Sequence, residues 1–503
     1  MNTKTLRRYI DRFHISATCL VCQILCITIM SISCESFSND QIRRGRQNTV
    51  IDDVDSRAMG LGGDDERLRP KATRHFQYGN TDISFTGAAT LLDFSFENNF
   101  SFRENDAVDQ FRFRPLVDLN TIFDFPKGYS LFTEFRLRDS IKLQDDTQPS
   151  NFFELQVREF FLTAPILETI PIDLTLGRQQ FFDLRRWYFT DRMDAARLSA
   201  KSGPFDLFTA ISTPVLVTNH SLQVFDNIAI KKEQMDILFN LDYALTERSF
   251  ISGYLILGNK HQDRIEPGLL RNENPMWSGI RFIGDEKFKL ASSESEFLSN
   301  LLKPRIQYWL DAAFVSGSAD SKKISGLGID LGVTAIARKF QAKPYVTFGY
   351  AYGSGDSNPE NDTDHNFRQT GFQANSGRFG GVVNFDYYGV LYNPELRNMH
   401  ILTAALGIRP TERSSIELVY HRYAQDHAFA RLPRDLRDGP ITFSRNPDGI
   451  HSHLGDELDL VLGYRGINNV RLRSRTGYFL PGAAYGEQRG SAFFTRLDVQ
   501  FFF

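Results

Sequence analysis

From about residue 81 the chain breaks into short segments in which apolar and polar residues alternate. The period is two, which puts successive side chains on opposite faces of a β-strand. In 131–137, Leu131, Phe135 and Leu137 share one face, while Glu134, Arg136 and Arg138 take the other. In 172–176, Ile172, Leu174 and Leu176 oppose Asp173 and Thr175. In 457–464, Leu458, Leu460, Leu462 and Tyr464 oppose Glu457, Asp459 and Gly463. In 470–476, Arg471, Arg473 and Arg475 alternate with Val470, Leu472 and Ser474. About 18 such segments are predicted, the first centred near residue 97 and the last near 497, with no long amphipathic helix. One of them resists the pattern. In 152–163, Glu154, Gln156 and Arg158 share a face but Glu159 falls on the apolar one, so a bulge or a rim position is expected there.

Two all-β architectures fit: a soluble sandwich or propeller, and a membrane barrel. The polar face decides between them. A solvated sheet face is usually rich in Lys, Ser and Thr; here it carries Arg and Glu opposite Leu, Phe, Val and Tyr. An apolar exterior around a polar lumen describes a transmembrane barrel. Lipid offers no partner to backbone N–H and C=O, so such a sheet must close on itself. About 18 strands leave a water-filled bore. The expected fold is therefore an all-β, transmembrane antiparallel β-barrel spanning 81–503. The last strand is the sharpest sign. Residues 493–503 place Phe493, Thr495, Leu497, Val499, Phe501 and Phe503 on one face and Phe494, Arg496, Asp498, Gln500 and Phe502 on the other. A terminal strand of this kind, ending in Phe503, resembles the signal read by the outer-membrane insertion machinery. The alternative is an amphipathic edge strand of a soluble domain.

Composition narrows the choice. With 44 Phe and 18 Tyr in 503 residues, the chain is too aromatic to be disordered. Mean hydropathy is −0.32, and after residue 34 no charge-free apolar run approaches the ~18 residues of a spanning helix. A net charge of −3 argues against a dedicated nucleic-acid binder. The cations are unevenly chosen, 43 Arg to 15 Lys, and Arg offers a flat fork that grips carboxylate or phosphate.

The N-terminus reads as an export signal. Lys4, Arg7, Arg8 and Arg12 precede an apolar run from Ile15 to Ile32 and the small residues Ser31, Ser33 and Ser36. An uncleaved anchor helix is the alternative. We expect a signal peptide over 1–33, a polar flexible lead-in over 34–80 and the barrel after it. All four cysteines, Cys19, Cys22, Cys26 and Cys34, lie at the front, so a chain cleaved before Cys34 keeps at most one. Disulfides and Cys-ligated metal are then out. Cys34 loosely resembles a lipoprotein processing site, with Ser31 where such sites usually carry Leu. Cleavage there would take the net charge from −3 to −6.

Several stretches together resemble the alginate export family of outer-membrane porins. They are Leu176-Gly177-Arg178-Gln179 followed by Arg185, Arg186 and Trp187; Arg192-Met193-Asp194-Ala195-Ala196-Arg197-Leu198; Gly353 to Asn358; Asn366 to Gly371; Gly377 to Gly381; Tyr387-Tyr388-Gly389; Asn393 to Leu396; Gly455 to Leu460; and Tyr478 to Gly482. They run in order through most of 90–503. The resemblance implies an 18-stranded barrel with an arginine-rich pore that passes an anionic polysaccharide to the cell surface. One departure concerns the turn after Gln179. Much of the family has Asp-Gly there, where this chain has Phe181-Phe182-Asp183-Leu184-Arg185-Arg186. Family members also differ in cargo.

A uronate polymer carries about one carboxylate per sugar, and rings of Arg can replace its water without trapping it. Alternation points Arg112, Arg114, Arg136, Arg138, Arg471, Arg473, Arg475 and Arg496 inward; the resemblance adds Arg178 and Arg197. Glu134, Asp459 and Asp498 are expected to pair with these arginines and hold their forks in place. Any wide barrel can also line its lumen with Arg–Glu ladders that simply satisfy one another. The segment from Gly353 to Asn398 is long for a hairpin loop and carries Asp356, Glu360, Asp362 and Asp364. A solvated acidic extracellular loop is expected. Its oxygen ligands at alternating positions also suit Ca²⁺ at Asp356, Asp362 and Asp364, without an EF-hand's Gly and closing Glu. Such loops can also fold inward and gate the bore. No H-E-x-x-H, G-x-S-x-G or P-loop is present, so an enzyme is not expected, a lipid-face Ser–His pair being the one route left open.

Three functions follow. The first is a monomeric outer-membrane porin in contact with the lipid bilayer and an anionic polysaccharide, working by passive, anion-selective diffusion without a cofactor. The second is a general porin for small anions. The third is a surface barrel whose loops bind a partner.

Overall fold

The computed structural model describes residues 74–100, 102, 110–144, 152–167, 171–213, 232–246, 248–262, 272–288, 303–430, 432, 446–467, 469–487 and 489–503. The expected signal peptide, Cys34 and most of the lead-in lie outside them. Alternating sequence becomes strand throughout. The wall consists of Thr81–Asn98, the interrupted pair Gln110–Phe113 and Leu116–Asp124, Ser130–Gln144, Phe152–Pro165, Ile172–Phe182, Thr190–Ser202, Phe205–Ser212, Lys232–Ala244, Phe250–Gln262, Asn272–Lys287, Arg305–Ala319, Lys322–Ile336, Tyr345–Gly353, Met399–Thr411, Ser414–Ala424, His453–Tyr464, Val470–Pro481 and Ala492–Phe502. Each pairs antiparallel with the next, forming a closed barrel of 18 strands. The break in the second strand falls at Pro115, which has no N–H to give to the ladder.

Closure joins the two ends of the sequence. Thr81–Asn98 pairs with Leu116–Asp124 along one edge and with Ala492–Phe502 along the other. Gly87 and Phe503 exchange both backbone hydrogen bonds, at 2.6 and 3.0 Å, and Thr86 Oγ1 donates to the Phe503 carbonyl at 3.0 Å. The sheet also starts before the expected boundary at residue 81. Arg74–Tyr78 folds back on the first strand through a turn at Gly79, and Phe76 meets Phe85 edge-on.

The outward face is apolar. Leu137, Leu155, Ile211, Ile280, Phe314, Phe348, Leu406, Leu418, Leu458 and Leu497 are exposed on it. Backbone groups satisfied around a closed ring and an apolar exterior are what hydrocarbon demands. The alternate positions point inward and mix buried polar and charged residues, such as Asp93, Glu134, Asp311 and Asp498, with apolar ones under the inward segments, such as Leu238, Ile256 and Val419.

The segment that breaks alternation carries the expected bulge. Glu134 faces Glu159 but its neighbour Phe135 faces Val157, so one residue of Phe152–Pro165 is extra. The extra residue resets the phase. Glu154, Gln156 and Glu159 are all buried, while Phe160 and Leu162 face out. Across the next pairing, Gly177 has φ 121°, and a Cβ there would lie 2.3 Å from the Phe160 carbonyl oxygen. Only glycine takes both the conformation and the approach.

The segment 354–398 is not a solvated loop. It folds into the barrel and buries Phe367, Phe372, Phe379, Phe385, Tyr387, Tyr388, Leu391, Tyr392 and Leu396. Four of its six acidic residues lie in 356–364, with only Asp386 and Glu395 beyond them, and the aromatic remainder gains more from burial than water can offer it.

Candidate functional site

Two inward segments fill one side of the lumen. The shorter is the turn after Ile172–Phe182, where the family's Asp-Gly is missing. Asp183 organises it. Its Oδ1 accepts the Arg185 N–H at 2.9 Å, and its Oδ2 accepts the N–H groups of Tyr188 and Phe189 at 2.9 and 2.8 Å. The turn then projects Arg185, Trp187 and Tyr188 into the lumen. Arg185 donates to Asp330 at 2.8 Å, lies 3.3 Å from Asp311, and stacks over Trp309 and Tyr387 at 4.3 and 4.4 Å. Burial opposes the charge on Arg185, but Asp330, Tyr387, Asp311 and Tyr388 together outweigh it and hold the guanidinium above its ordinary value. Arg281 bridges Asp183 and Asp311. Tyr188 stacks on Tyr254 with ring centroids 3.9 Å apart. Side chains from four neighbouring wall strands thus meet the inward turn in one knot, where Arg281 is 1% exposed and Asp311 0%.

The longer segment packs on this knot. Trp187 Nε1 donates to the Tyr388 hydroxyl at 2.9 Å, which donates in turn to Asp330 at 2.9 Å. Farther along, the loop backbone is clamped by wall carboxylates. Val390 N–H donates to Asp459 at 3.0 Å, and Leu391 and Tyr392 N–H donate to the two Glu457 oxygens at 2.7 and 2.9 Å. Gly389 makes this approach possible. It has φ 120°, and a Cβ would lie 2.2 Å from the Tyr423 hydroxyl.

Asp459 therefore does something other than expected. Alternation places it in an arginine ladder, but its described partners are the Val390 N–H and His421 at 3.6 Å, beside Glu457. It fastens a loop because the segment facing it brings backbone donors rather than guanidinium.

The opposite side of the lumen carries the arginines. Arg136 reaches Asp118 in a bidentate fork at 2.6 and 2.8 Å, and Arg138 pairs with Glu154 at 2.9 Å. Arg496 grips Asp93 through Nε at 2.7 Å and Nη2 at 2.5 Å. Asp498 is shared by Arg471, Arg473 and Arg475 at 3.8, 2.8 and 3.9 Å. Glu134 is shared by Arg158 and Arg192 at 3.7 and 3.3 Å. Arg114 donates to Ser95 at 2.7 Å, and Arg112 lies 3.8 Å from Glu97. These side chains keep part of their surface open: 47% for Arg138, 28% for Arg112, 27% for Arg496 and 20% for Arg136. The two residues assigned from the family motifs lie elsewhere. Arg178 is buried against Asp194 at 3.3 Å, and Arg197 stacks over Phe208 at 4.6 Å.

Two of the acidic side chains at the start of the long loop are engaged within it. Asp356 accepts the Asn358 N–H at 3.1 Å and Asp364 pairs with Arg368 and Arg397, while Asp362 docks the turn on the wall through its backbone carbonyl, which accepts the Lys323 N–H at 2.8 Å. Among the described residues, no group of three or more His, Cys, Asp or Glu could hold a metal ion.

Asp183, Arg281, Asp311, Asp330 and Glu457 are parts of the site that alternation and family resemblance do not single out. The density of Phe and Tyr in 367–392 was the signal available, since a solvated loop has no use for it.

A closed 18-strand antiparallel barrel, apolar outside and charged within, is an outer-membrane β-barrel protein of the porin architecture. The profile of the family described as alginate export matches residues 86–497, and the chain belongs to that family. A curated relative, the alginate production protein AlgE of Azotobacter vinelandii, is 24% identical over 198 residues. That match covers 35% of this chain and 39% of the relative's length. Among solved structures, OccK9 (OpdG) of Pseudomonas aeruginosa superposes with a TM-score of 0.53 at 10% identity, covering 84% of this chain and 98% of its own. The outer membrane protein opdK of the same organism gives 0.50 at 10% identity, covering 84% and 99%. These two likenesses concern the fold alone.

Proposed function

We propose that this protein passes an anionic, uronate-type exopolysaccharide across the outer membrane by passive, anion-selective diffusion along its arginine wall. Family membership supports a polysaccharide porin. The observation that carries the finer reading is the row of partly exposed guanidiniums on one side of the lumen, facing an inward loop on the other. Arg114 is held by the Ser95 hydroxyl and the other arginines lie against carboxylates, and Arg471, Arg473 and Arg475 share one, so donors remain for a passing anion. Pairing also keeps the wall from binding a polyanion too tightly to release it. The chemistry required is exchange of hydrogen bonds, with no covalent step. The protein acts as a monomer in the bilayer, a transporter and not an enzyme.

The test is ion selectivity in a planar bilayer, followed by polyuronate added to one side. Anion-selective current that micromolar polyuronate blocks and neutral dextran does not is the expected result. Anion current indifferent to polyuronate would move the reading to a porin for small anionic solutes. A sealed bore would turn attention to the loops as partner-binding elements.

A further inference from the structure

At its far edge the inward loop forms a two-stranded ribbon, Ser376–Gly377 against Phe385–Asp386. This edge touches the arginine wall. Arg473 Nη1 donates to the Asn384 carbonyl at 2.9 Å, and Arg475 Nη1 donates to Asp386 Oδ2 at 3.2 Å. Both arginines also share Asp498. The rest of the loop is held differently. Its aromatic core is buried, and its clamps at 389–392 close on carboxylates that are 0% and 1% exposed. The Asp386 carboxylate keeps 28% of its side chain open, while Arg475 keeps 7%.

Asp386 thus presents to Arg475 the same group that each unit of a polyuronate would present. We propose that Asp386 is an intramolecular competitor for the translocated carboxylates, occupying the Arg473–Arg475 rung at rest and yielding it to an incoming one. The inference rests on the reading of the pore given above and assigns the residue that sets affinity at this rung. The exchange is balanced. One carboxylate replaces another on the same guanidinium, and Asp386 turns to the water it already touches. Arg475 is buried and must keep an anionic partner, but Asp386 is open to water and can be replaced by an incoming carboxylate, whereas the carboxylates of the clamps are sealed. The loop edge can therefore yield while its root stays fixed.

Wild-type protein, Asp386→Asn and Asp386→Glu are compared in planar bilayers, with a defined oligouronate as the blocker. Removal of the competitor should lower the half-blocking concentration about tenfold, which corresponds to about 1.4 kcal/mol. Anion-over-cation permeability in KCl alone should rise severalfold. Asp386→Glu should stay within about twofold of wild type on both counts. Asp386→Ser replaces Asn if that variant does not insert, as judged by the heat-modifiable mobility of folded barrels. Wild-type block with an unchanged half-blocking concentration in Asp386→Asn would overturn the competitor while leaving the pore function intact. A wild-type pore that oligouronate does not block would overturn the functional reading. The competitor would then stand or fall on whether Asp386→Asn changes KCl selectivity.

Discussion

The lumen holds two collections of arginine and carboxylate that look alike in sequence and behave differently in space. The knot of Asp183, Arg185, Arg281, Asp311 and Asp330 is sealed, with every charge facing another charge or an aromatic ring. The ladder of Arg112, Arg114, Arg136, Arg138, Arg473 and Arg496 pairs just as regularly but keeps one side open. The difference comes from what lies in front of them, not from the residues. The knot is capped by two inward segments, and the ladder faces the bore. Charges of one kind serve as mortar where they are covered and as a binding surface where they are not.

The comparison breaks most readily at the knot. Arg281→Met should destabilise the barrel by about 3–5 kcal/mol, because it leaves Asp183 and Asp311 buried without their shared cation. Urea unfolding in detergent measures this, and a loss below about 1 kcal/mol would make knot and ladder equivalent. Glu457→Gln comes next. It weakens the acceptors for two loop N–H groups, at about 1–3 kcal/mol, and hydrogen exchange should speed up at Leu391 and Tyr392 before anywhere else in the loop. The double change Arg136→Ala with Arg138→Ala should reverse the pattern. It removes the cations from Asp118 and Glu154, which border the bore, so it should cost less stability than Arg281→Met while lowering anion selectivity severalfold. Unchanged selectivity would remove this pair from the pore.

The smallest effect concerns acid. Burial works against ionisation of Asp364, but Arg368, its hydrogen bonds and Arg397 outweigh it and hold the carboxyl below its ordinary value of 3.8. A folded value below the unfolded one gives stability that is present above the unfolded value and lost as pH falls through the folded one. The loop entrance should therefore stay fastened from pH 7 down to about 4 and loosen below that. Fluorescence of Trp277, whose indole donates to the Arg368 carbonyl at 2.7 Å, reports it. Arg368→Gln should move the onset to higher pH.

Most of the wall was legible because alternation is a local property. Leu131 to Arg138 announces its two faces without knowledge of the neighbouring strand, and the irregularity at Arg158-Glu159 announces its own bulge. The loop-dependent part was not. Arg281 lies between Ile280 and Phe282, and Asp311 between Leu310 and Ala312, so their inward direction is readable but their partners are not. Arg281 meets Asp183 across 98 residues and Arg185 meets Asp330 across 145, and nothing local encodes such meetings. Asp459 shows the limit from the other side: alternation gave its direction, yet its partner is a backbone N–H on an unrelated segment.

The seam between the first and last strands carries a consequence for assembly. Thr86 waits for an oxygen 417 residues downstream. Until Ala492–Phe502 arrives, Thr81–Asn98 and the latest strand to form each present an open edge, which in any sheet is a template for a stray chain. The other strands can zip onto their sequence neighbours at modest entropic cost, but this last stitch spans nearly the whole polypeptide. An assembling molecule therefore passes through an open, adhesive sheet and becomes inert at a single late event. A change at Gly87, where a Cβ would lie 2.5 Å from the Asp118 carbonyl and 2.8 Å from the Phe503 ring, would disturb that event together with the pairing to Leu116–Asp124, the two edges of the one strand that closes the ring.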